Sequence, residues 1–309
     1  MNVIFMGTPR FAVPTLERVA AGHRVIAVYT QPDRPKGRGQ KEALSPVKEA
    51  ATKLGLEVRQ PERVRRPEVV AALTADAPDA MVVVGYGQII PQSIIDIPRL
   101  GIVNVHASLL PKYRGAAPIQ WAIARGETST GVTTMMINAG LDTGDMLLKW
   151  ETPIGPDETA VELGERLASA GADLLIETLA RLEAGAIMPE PQDDSQATLA
   201  PIIKKEDGLI DWSAPAQTIL NRMRGFTPWP GTYTFFRGQR FHIWRARPAA
   251  AFGLAPGSLE ARGRKAIAGC GEGTAIELIE VQLEGRKRMP ADAFLNGNPI
   301  TDKEVLTNC

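Results

Sequence analysis

Met81-Val-Val-Val-Gly85 is an unbroken apolar run of strand length, closed by a glycine. A strand that is apolar on both faces belongs inside a parallel sheet covered on both sides. Toward the N-terminus, Val3–Met6 is a second such run, followed by a helical pattern over residues 11–20 and a β-rich run at Arg24–Thr30. Toward the C-terminus, Gly101–His106 and Val132–Ile137 each follow a plausible helix. Strand, helix and strand repeated in this way predict an open, mostly parallel α/β sheet. Met146–Trp150 follows a glycine-containing turn too closely for a crossover helix and is expected as an antiparallel addition. The long helix predicted next opens on a capping box, Thr159 with Glu162. It carries a stripe of Leu163, Leu167, Ala170 and Leu174 and stops at Gly185.

At roughly 150 residues per domain, 309 residues suggest about two domains. Residues 1–188 form the first. Residues 189–206, with Pro189, Pro191, Pro201 and the pair Lys204-Lys205, read as a linker. Residues 207–309 form the second, where aromatic residues concentrate. Short runs at Thr232–Phe236, Arg240–Trp244 and Ala275–Gln282, punctuated by Gly and Pro, predict a small β-barrel there. Lys+Arg and Asp+Glu both number 35, which excludes a uniformly basic nucleic-acid coat but not a local basic patch. The longest uncharged run, Ala80–Ile95, is broken by Gly85, Gly87 and Pro91 and is shorter than the ~20 apolar residues a membrane helix needs. The N-terminus lacks the basic region of a signal peptide. Two cysteines, Cys270 and Cys309, argue against a disulfide framework or a Cys-based metal site, and three scattered histidines argue against catalytic zinc. A cytoplasmic chain without a metal is expected.

Four constellations could carry chemistry. Asn104-Val-His106-Ala-Ser108-Leu-Leu-Pro111 closes the Gly101–His106 strand. Residues i and i+2 of a strand share a face, so Asn104 and His106 project together at the C-terminal edge where open α/β sheets bind ligands. An amide can donate to a developing oxyanion and an imidazole can move a proton near neutral pH; a satisfied core polar pair is the other reading. In Asn138-Ala-Gly140-Leu-Asp142-Thr-Gly144-Asp145, Asp142 or Asp145 could orient His106, or both could serve ordinary turn chemistry. The Gly/Pro loop from Asp33 to Lys41 carries four cations, Arg34, Lys36, Arg38 and Lys41; it could grip phosphates or be a solvated loop. Arg222–Arg247 interleaves six arginines, Arg222 and Arg224 among them, with seven aromatics and no acid, as a nucleic-acid surface or as barrel core with a solvated rim.

Together these stretches resemble the folate-dependent formyltransferases. The resemblance rests on Phe5-Met-Gly-Thr-Pro9, Thr30-Gln-Pro-Asp-Arg-Pro35 through Gly37-Arg-Gly39, Ser45-Pro-Val-Lys48, Asn104–Pro111, Arg114-Gly-Ala-Ala-Pro-Ile-Gln120, Gly140–Met146, Ile210-Asp-Trp-Ser213 and Pro228-Trp-Pro230. It covers nearly the whole chain. The loop with Arg38 and the second half narrow it to the branch acting on methionyl-tRNA. Ala107 departs from the glycine common after the histidine, and residues 40–44 differ in composition. The resemblance implies a Rossmann-like, mostly parallel sheet domain followed by an OB-like β-barrel. It implies 10-formyltetrahydrofolate as donor and the α-amino group of methionyl initiator tRNA as acceptor, joined through a tetrahedral intermediate. The implied catalytic trio is Asn104, His106 and Asp142. Ser108, Leu109, Leu110 and Pro111 are implied on the folate. Arg34, Lys36, Arg38, Lys41, Lys204, Lys205, Arg222 and Arg224 are implied on the tRNA. A monomer is expected. The rival substrate is a small amine such as an amino sugar nucleotide, which needs no four-cation loop.

Overall fold

A computed structural model describes residues 1–36, 41–300 and 304–308; of residues 34–36, 41 and 42 it gives the backbone alone. Its strands and helices in chain order are β1 (Asn2–Gly7), α1 (Val13–Gly22), β2 (Arg24–Tyr29), β3 (Arg34–Lys36), β4 (Lys41–Ala43), α2 (Pro46–Lys53), β5 (Val58–Arg59), α3 (Pro67–Asp76), β6 (Ala80–Val84), α4 (Gln92–Ile95), β7 (Ile102–His106), β8 (Arg114–Gly115), α5 (Pro118–Ala124), β9 (Ser129–Met136), β10 (Met146–Pro153), α6 (Ala160–Glu183), β11 (Leu199–Ala200), α7 (Ala216–Gly225), β12 (Thr232–Phe236), β13 (Gln239–Ala249), β14 (Leu259–Arg262), β15 (Lys265–Gly269), β16 (Ala275–Leu283), β17 (Met289–Pro290) and α8 (Ala291–Gly297). They form two compact units. One comprises residues 1–118, 129–153 and 164–200; the other comprises 119–128, 154–163 and 201–309.

The first unit is built on a seven-stranded sheet of order β10-β9-β7-β6-β1-β2-β5. β5, β2, β1, β6 and β7 run parallel. The apolar residues Met81 to Val84 lie in β6, which is buried at every residue. One face of the central strands packs Ile4, Met6, Ala27, Tyr29, Met81, Val83 and Ile102 against Leu73 of α3 and Ile94 of α4. On the other face α6 closes on the sheet at Gly171, where an added Cβ would lie 2.9 Å from Val105 and 3.2 Å from Val132. The capping box is formed: Thr159 Oγ1 accepts from Glu162 N, and Glu162 accepts from Thr159 N. Chain order leaves β1 in one direction for β2 and in the other for β6, so the topological switch point lies between β1 and β6.

Two features differ from the sequence reading. Val132–Ile137 lies largely within β9, which runs antiparallel to β7 as β10 does to β9. The apolar run alone could not reveal this, because β9 is buried as thoroughly as a parallel strand. The stretch read as a linker is ordered through residue 200. Glu190 pairs with Met146, and β11 lies parallel to β8.

The second unit carries an antiparallel sheet of order β12-β13-β16-β15-β14, with β17 on β16. The expected barrel is not closed as a sheet, because β12 and β14 do not pair. The C-terminal segment spans the opening instead: Thr307 bridges to Phe235 at one edge, and Val305 bridges to Ser258 beside the other. Phe236, Phe241 and Phe294 pack edge and face at 4.8–5.7 Å inside this sheet, with Trp212, Ile243 and Val281. Phe241 is fully buried. Phe241→Ala is expected to destabilise this unit by about 3–5 kcal/mol, read as a lower midpoint of its transition in urea; a shift below ~1 kcal/mol would show that the aromatic cluster is not what holds the sheet.

Candidate functional site

β7 ends in the sequence Asn104-Val-His106, and both polar side chains lie on the face that Ile102 shares with Met81 and Val83. Asn104 and His106 are 8% and 5% exposed. Among the described residues, the Asn104 amide makes no side-chain hydrogen bond. The imidazole is fixed instead. His106 Nε2 lies 2.9 Å from the Tyr113 carbonyl. A carbonyl only accepts, so Nε2 carries the hydrogen and Nδ1 is left with the lone pair in the neutral ring. Nδ1 lies 3.7 Å from Asp142 Oδ2. That oxygen also accepts from the Gly115 amide at 2.8 Å. Of the two candidate aspartates, Asp142 reaches the histidine.

Local chemistry sets these positions. The turn after β9 begins with Asn138, whose Oδ1 accepts from Gly140 N and Thr143 Oγ1 at 3.0 and 2.9 Å. Asp142 sits in the left-handed region at φ 51°, a conformation that short polar side chains tolerate best. Two residues on, an added Cβ at Gly144 would fall 1.8 Å from the Met136 carbonyl, so only glycine lets the loop turn back into β10. Residues 113–115 make a second irregular segment, with Tyr113 at φ 62° and Gly115 at φ 121°. Its Tyr113 carbonyl and Gly115 amide reach the histidine and the aspartate respectively. The sequence reading missed Tyr113 because a backbone carbonyl leaves no residue signature.

The four residues after Ala107 divide. Ser108 is wholly buried, and its hydroxyl donates to the Lys112 carbonyl at 2.6 Å. Leu110 is buried with Met135 and Met146. Leu109 and Pro111 keep part of their surface exposed. Thr133 ties this turn to β9, donating to the Ser108 carbonyl and accepting from Leu110 N.

Among the cationic candidates, Arg34, Lys36 and Lys41 stand on the β3–β4 antiparallel hairpin, and Arg38 lies outside the described residues. The hairpin base is fastened by groups to which the sequence assigned no role of their own. Lys48 in the first turn of α2 pairs with Asp33, which also accepts from Gln60 Nε2 at 3.0 Å. Gln60 reaches the Gln31 carbonyl, and Gln31 Nε2 donates to the Tyr86 carbonyl at 3.1 Å, beside the switch point. In the second unit Lys204 and Lys205 are exposed. Arg222 and Arg224 are half-buried and bonded within their own unit. Arg222 donates to the Asp207 carbonyl and lies over the Phe226 ring, while Arg224 donates to the Gly155 and Glu158 carbonyls and to Asn221. Arg237 and Arg247 pair with Glu304 and Glu277. Burial holds the His242 ring toward its neutral form, stacked 5.3 Å from Trp244. No group of three or more metal-ligating side chains occurs among the described residues, and no described helix is long and apolar enough to cross a membrane.

Residues 1–179 match the formyl transferase family and residues 202–299 match the formyl transferase C-terminal domain family. A methionyl-tRNA formyltransferase of Solibacter usitatus (strain Ellin6076) is 66% identical over 308 residues, covering 99% of this chain and 98% of its own. One of Koribacter versatilis (strain Ellin345) is 62% identical over 299 residues, covering 96% of each chain. Among solved structures, WlaRD, a sugar 3N-formyl transferase solved with dTDP and 5-N-formyl-THF, superposes with a TM-score of 0.68 at 18% identity, over 93% of this chain and 99% of its own. An N-formyltransferase of Helicobacter canadensis in complex with folinic acid and dTDP-3-aminofucose gives 0.66 at 19% identity, over 89% and 98%. At that identity the likeness is one of fold.

The hydrogen bonds from Lys48, first, and from Gln60 hold the Asp33 carboxyl below its ordinary value. A carboxyl depressed in this way stabilises the fold above the unfolded value of about 4, and the contribution is lost as pH falls through the lower folded value. Asp33→Asn should therefore lower the urea midpoint at pH 7, with the gap to wild type closing below about pH 4. A gap that persists undiminished at pH 3 would remove the ion pair as its cause.

Proposed function

The chain belongs to the formyl transferase family, and we infer that it transfers the formyl group of 10-formyltetrahydrofolate to the α-amino group of methionyl initiator tRNA. It is a one-carbon transferase of translation initiation. Relatives at 52–66% identity over nearly the full chain carry that activity in their names. The sugar formyltransferases share the fold at 18–19% identity, which supports the small-amine alternative less. A cytoplasmic monomer is the proposed working form.

One arrangement supports the chemistry: an amide without a side-chain partner among the described residues, beside a buried imidazole whose second nitrogen faces a carboxylate. Formyl transfer to an amine needs a donor at the developing oxyanion, an acceptor for the amine proton and a proton for the departing nitrogen. The proposed oxyanion donor is the Asn104 amide. His106 Nδ1 is the proposed proton acceptor, since the Tyr113 carbonyl occupies Nε2. The ring charges as it takes the proton, and the Asp142 carboxylate at 3.7 Å stabilises that form. The same Nδ1–H then returns the proton to the leaving folate nitrogen. No step needs a nucleophilic side chain, and Ser108, spent on the Lys112 carbonyl, has no base. The folate supplies a formyl group on a nitrogen that leaves once protonated. Leu109 and Pro111 present the partly exposed apolar surface proposed for its ring, with Ser108 and Leu110 shaping that turn from within. Arg34, Lys36, Arg38, Lys41, Lys204 and Lys205 are the proposed tRNA contacts. Arg222 and Arg224 are proposed tRNA contacts as well, each also bonded to carbonyls of its own unit.

Incubation with 10-formyltetrahydrofolate and methionyl initiator tRNA should release tetrahydrofolate and formylate the amino acid. A protein that releases no tetrahydrofolate with this acceptor, but does so with an amino sugar nucleotide, would overturn the reading. Asn104→Ala should cost about 10²–10³ in kcat, the usual loss for one oxyanion donor. His106→Ala and Asp142→Asn should also lower kcat by orders of magnitude with tRNA affinity nearly unchanged; parallel loss of affinity would make these residues structural.

Each phosphate contact adds to the salt dependence of binding. Replacing both Lys204 and Lys205 by Ala should flatten the log Kd against log salt slope by about 1 to 2. An unchanged slope would remove the pair from the tRNA surface.

A further inference from the structure

The loop that carries Asp142 is not held by its own turn alone. The chain after α6 returns along it. Glu190 and Met146 exchange two backbone hydrogen bonds of 2.8 Å. Two residues later Gln192 Nε2 donates to the Asp142 carbonyl at 2.8 Å and to the Gly144 carbonyl at 2.7 Å. Both amide hydrogens are therefore used on the aspartate loop. The amide oxygen is used as well, accepting from Arg114 Nε at 2.9 Å. The Arg114 side chain is 8% exposed, and its Nη2 pairs with Asp194 at 2.7 Å.

Arg114 stands between the two residues that touch the site. Tyr113 gives its carbonyl to His106, and Gly115 gives its amide to Asp142. The returning chain holds these two also. Tyr113 N donates to Thr198 Oγ1 at 2.9 Å, Arg114 N donates to the Thr198 carbonyl at 2.9 Å, and Leu199–Ala200 runs parallel to Arg114–Gly115. An added Cβ at Gly115 would lie 2.7 Å from the Ala200 carbonyl. One segment, residues 190–200, thus fastens the carboxylate loop and the histidine's backbone partner to each other.

We propose that Gln192, set by Arg114, is a positioning residue of formyl transfer: its amide fixes the left-handed turn at Asp142 and with it the carboxylate's approach to His106 Nδ1. This rests on the proposed role of Asp142. Displacement by about 1 Å at a reacting centre is enough to cost ~100-fold in rate. Gln192 makes its contacts through backbone carbonyls of the loop, so its loss should alter kcat and leave substrate binding in place.

The test is a double-mutant cycle in the full-length protein, with 10-formyltetrahydrofolate and methionyl initiator tRNA as substrates. Gln192→Met keeps the length and removes every hydrogen bond. Gln192→Glu keeps the acceptor for Arg114 and sets an oxygen where both carbonyls need a donor. Either should lower kcat roughly 10- to 100-fold, with both KM values within about twofold of wild type. In an Asp142→Asn background the same change should cost less than about threefold, because residues acting as one unit are not additive. The pH dependence of kcat should shift in Gln192→Met and not in a surface control such as Lys149→Ala. Equal fold losses in both backgrounds would make Gln192 a general support of the fold, and a change confined to KM would put it on a substrate; either overturns the proposal. Unchanged turnover in Asp142→Asn alone would instead bring down the assignment of Asp142, and the positioning role with it. Should Gln192→Met not fold, Gln192→Glu carries the cycle by itself.

Discussion

The hydrogen bond from His106 Nε2 to the Tyr113 carbonyl is the constraint around which the first unit is arranged. β7 is buried along its whole length, between strands buried as thoroughly. Burying a polar side chain in such a strand costs free energy that a hydrogen-bond partner offsets. No side chain of β6 or β9 beside it is ionisable, so the partner is a carbonyl. To bring that carbonyl in, the chain leaves β7 through a compact turn, with the Ser108 hydroxyl on Lys112 and Thr133 bonded to both Ser108 and Leu110. Tyr113 then takes a positive φ, and Gly115 follows in a conformation that favours glycine. The same bond settles the tautomer and leaves the lone pair on Nδ1.

Asn104 presents the opposite economy. It lies on the same face two residues earlier, nearly as buried, without a side-chain partner among the described residues. Its amide atoms are not among the fully buried side-chain atoms left without a partner, so solvent reaches the group. Imidazole and amide therefore differ in how they are held: the ring is fixed through Nε2, while the amide has no side-chain partner among the described residues.

In the second unit the arginine-rich stretch is spent mostly on the protein itself. Arg222 and Arg224 close carbonyls at the ends of other segments, Arg237 and Arg247 pair with glutamates brought from far along the chain, and Arg240 lies over the Tyr233 ring. A linear run without acids does not show its acidic partners, because Glu277 and Glu304 are supplied by β16 and the C-terminal segment. Charge in sequence and charge at the surface differ by what folding brings alongside.

The sequence alone determined the parallel sheet, the existence of a second β-rich unit, the long capped helix and the pairing of Asn104 with His106 on one face. Each follows from short-range periodicity: apolar runs mark strands buried on both faces, and a two-residue repeat puts alternate side chains together. Tertiary structure alone decided the rest. It chose Asp142 over Asp145, because a left-handed turn beyond β9 aims only the first at the imidazole. It set β9 antiparallel and left the second sheet open, since strand direction and closure depend on connections between distant segments. It also bonded the proline-rich stretch around Gln192, read as a linker, to the loop that carries Asp142. Proline and polar residues look the same in a free connector and in a segment whose hydrogen bonds run to backbone 48–50 residues away. Contacts of that range leave no periodic trace, and backbone carbonyls, which receive most of them here, are common to every residue.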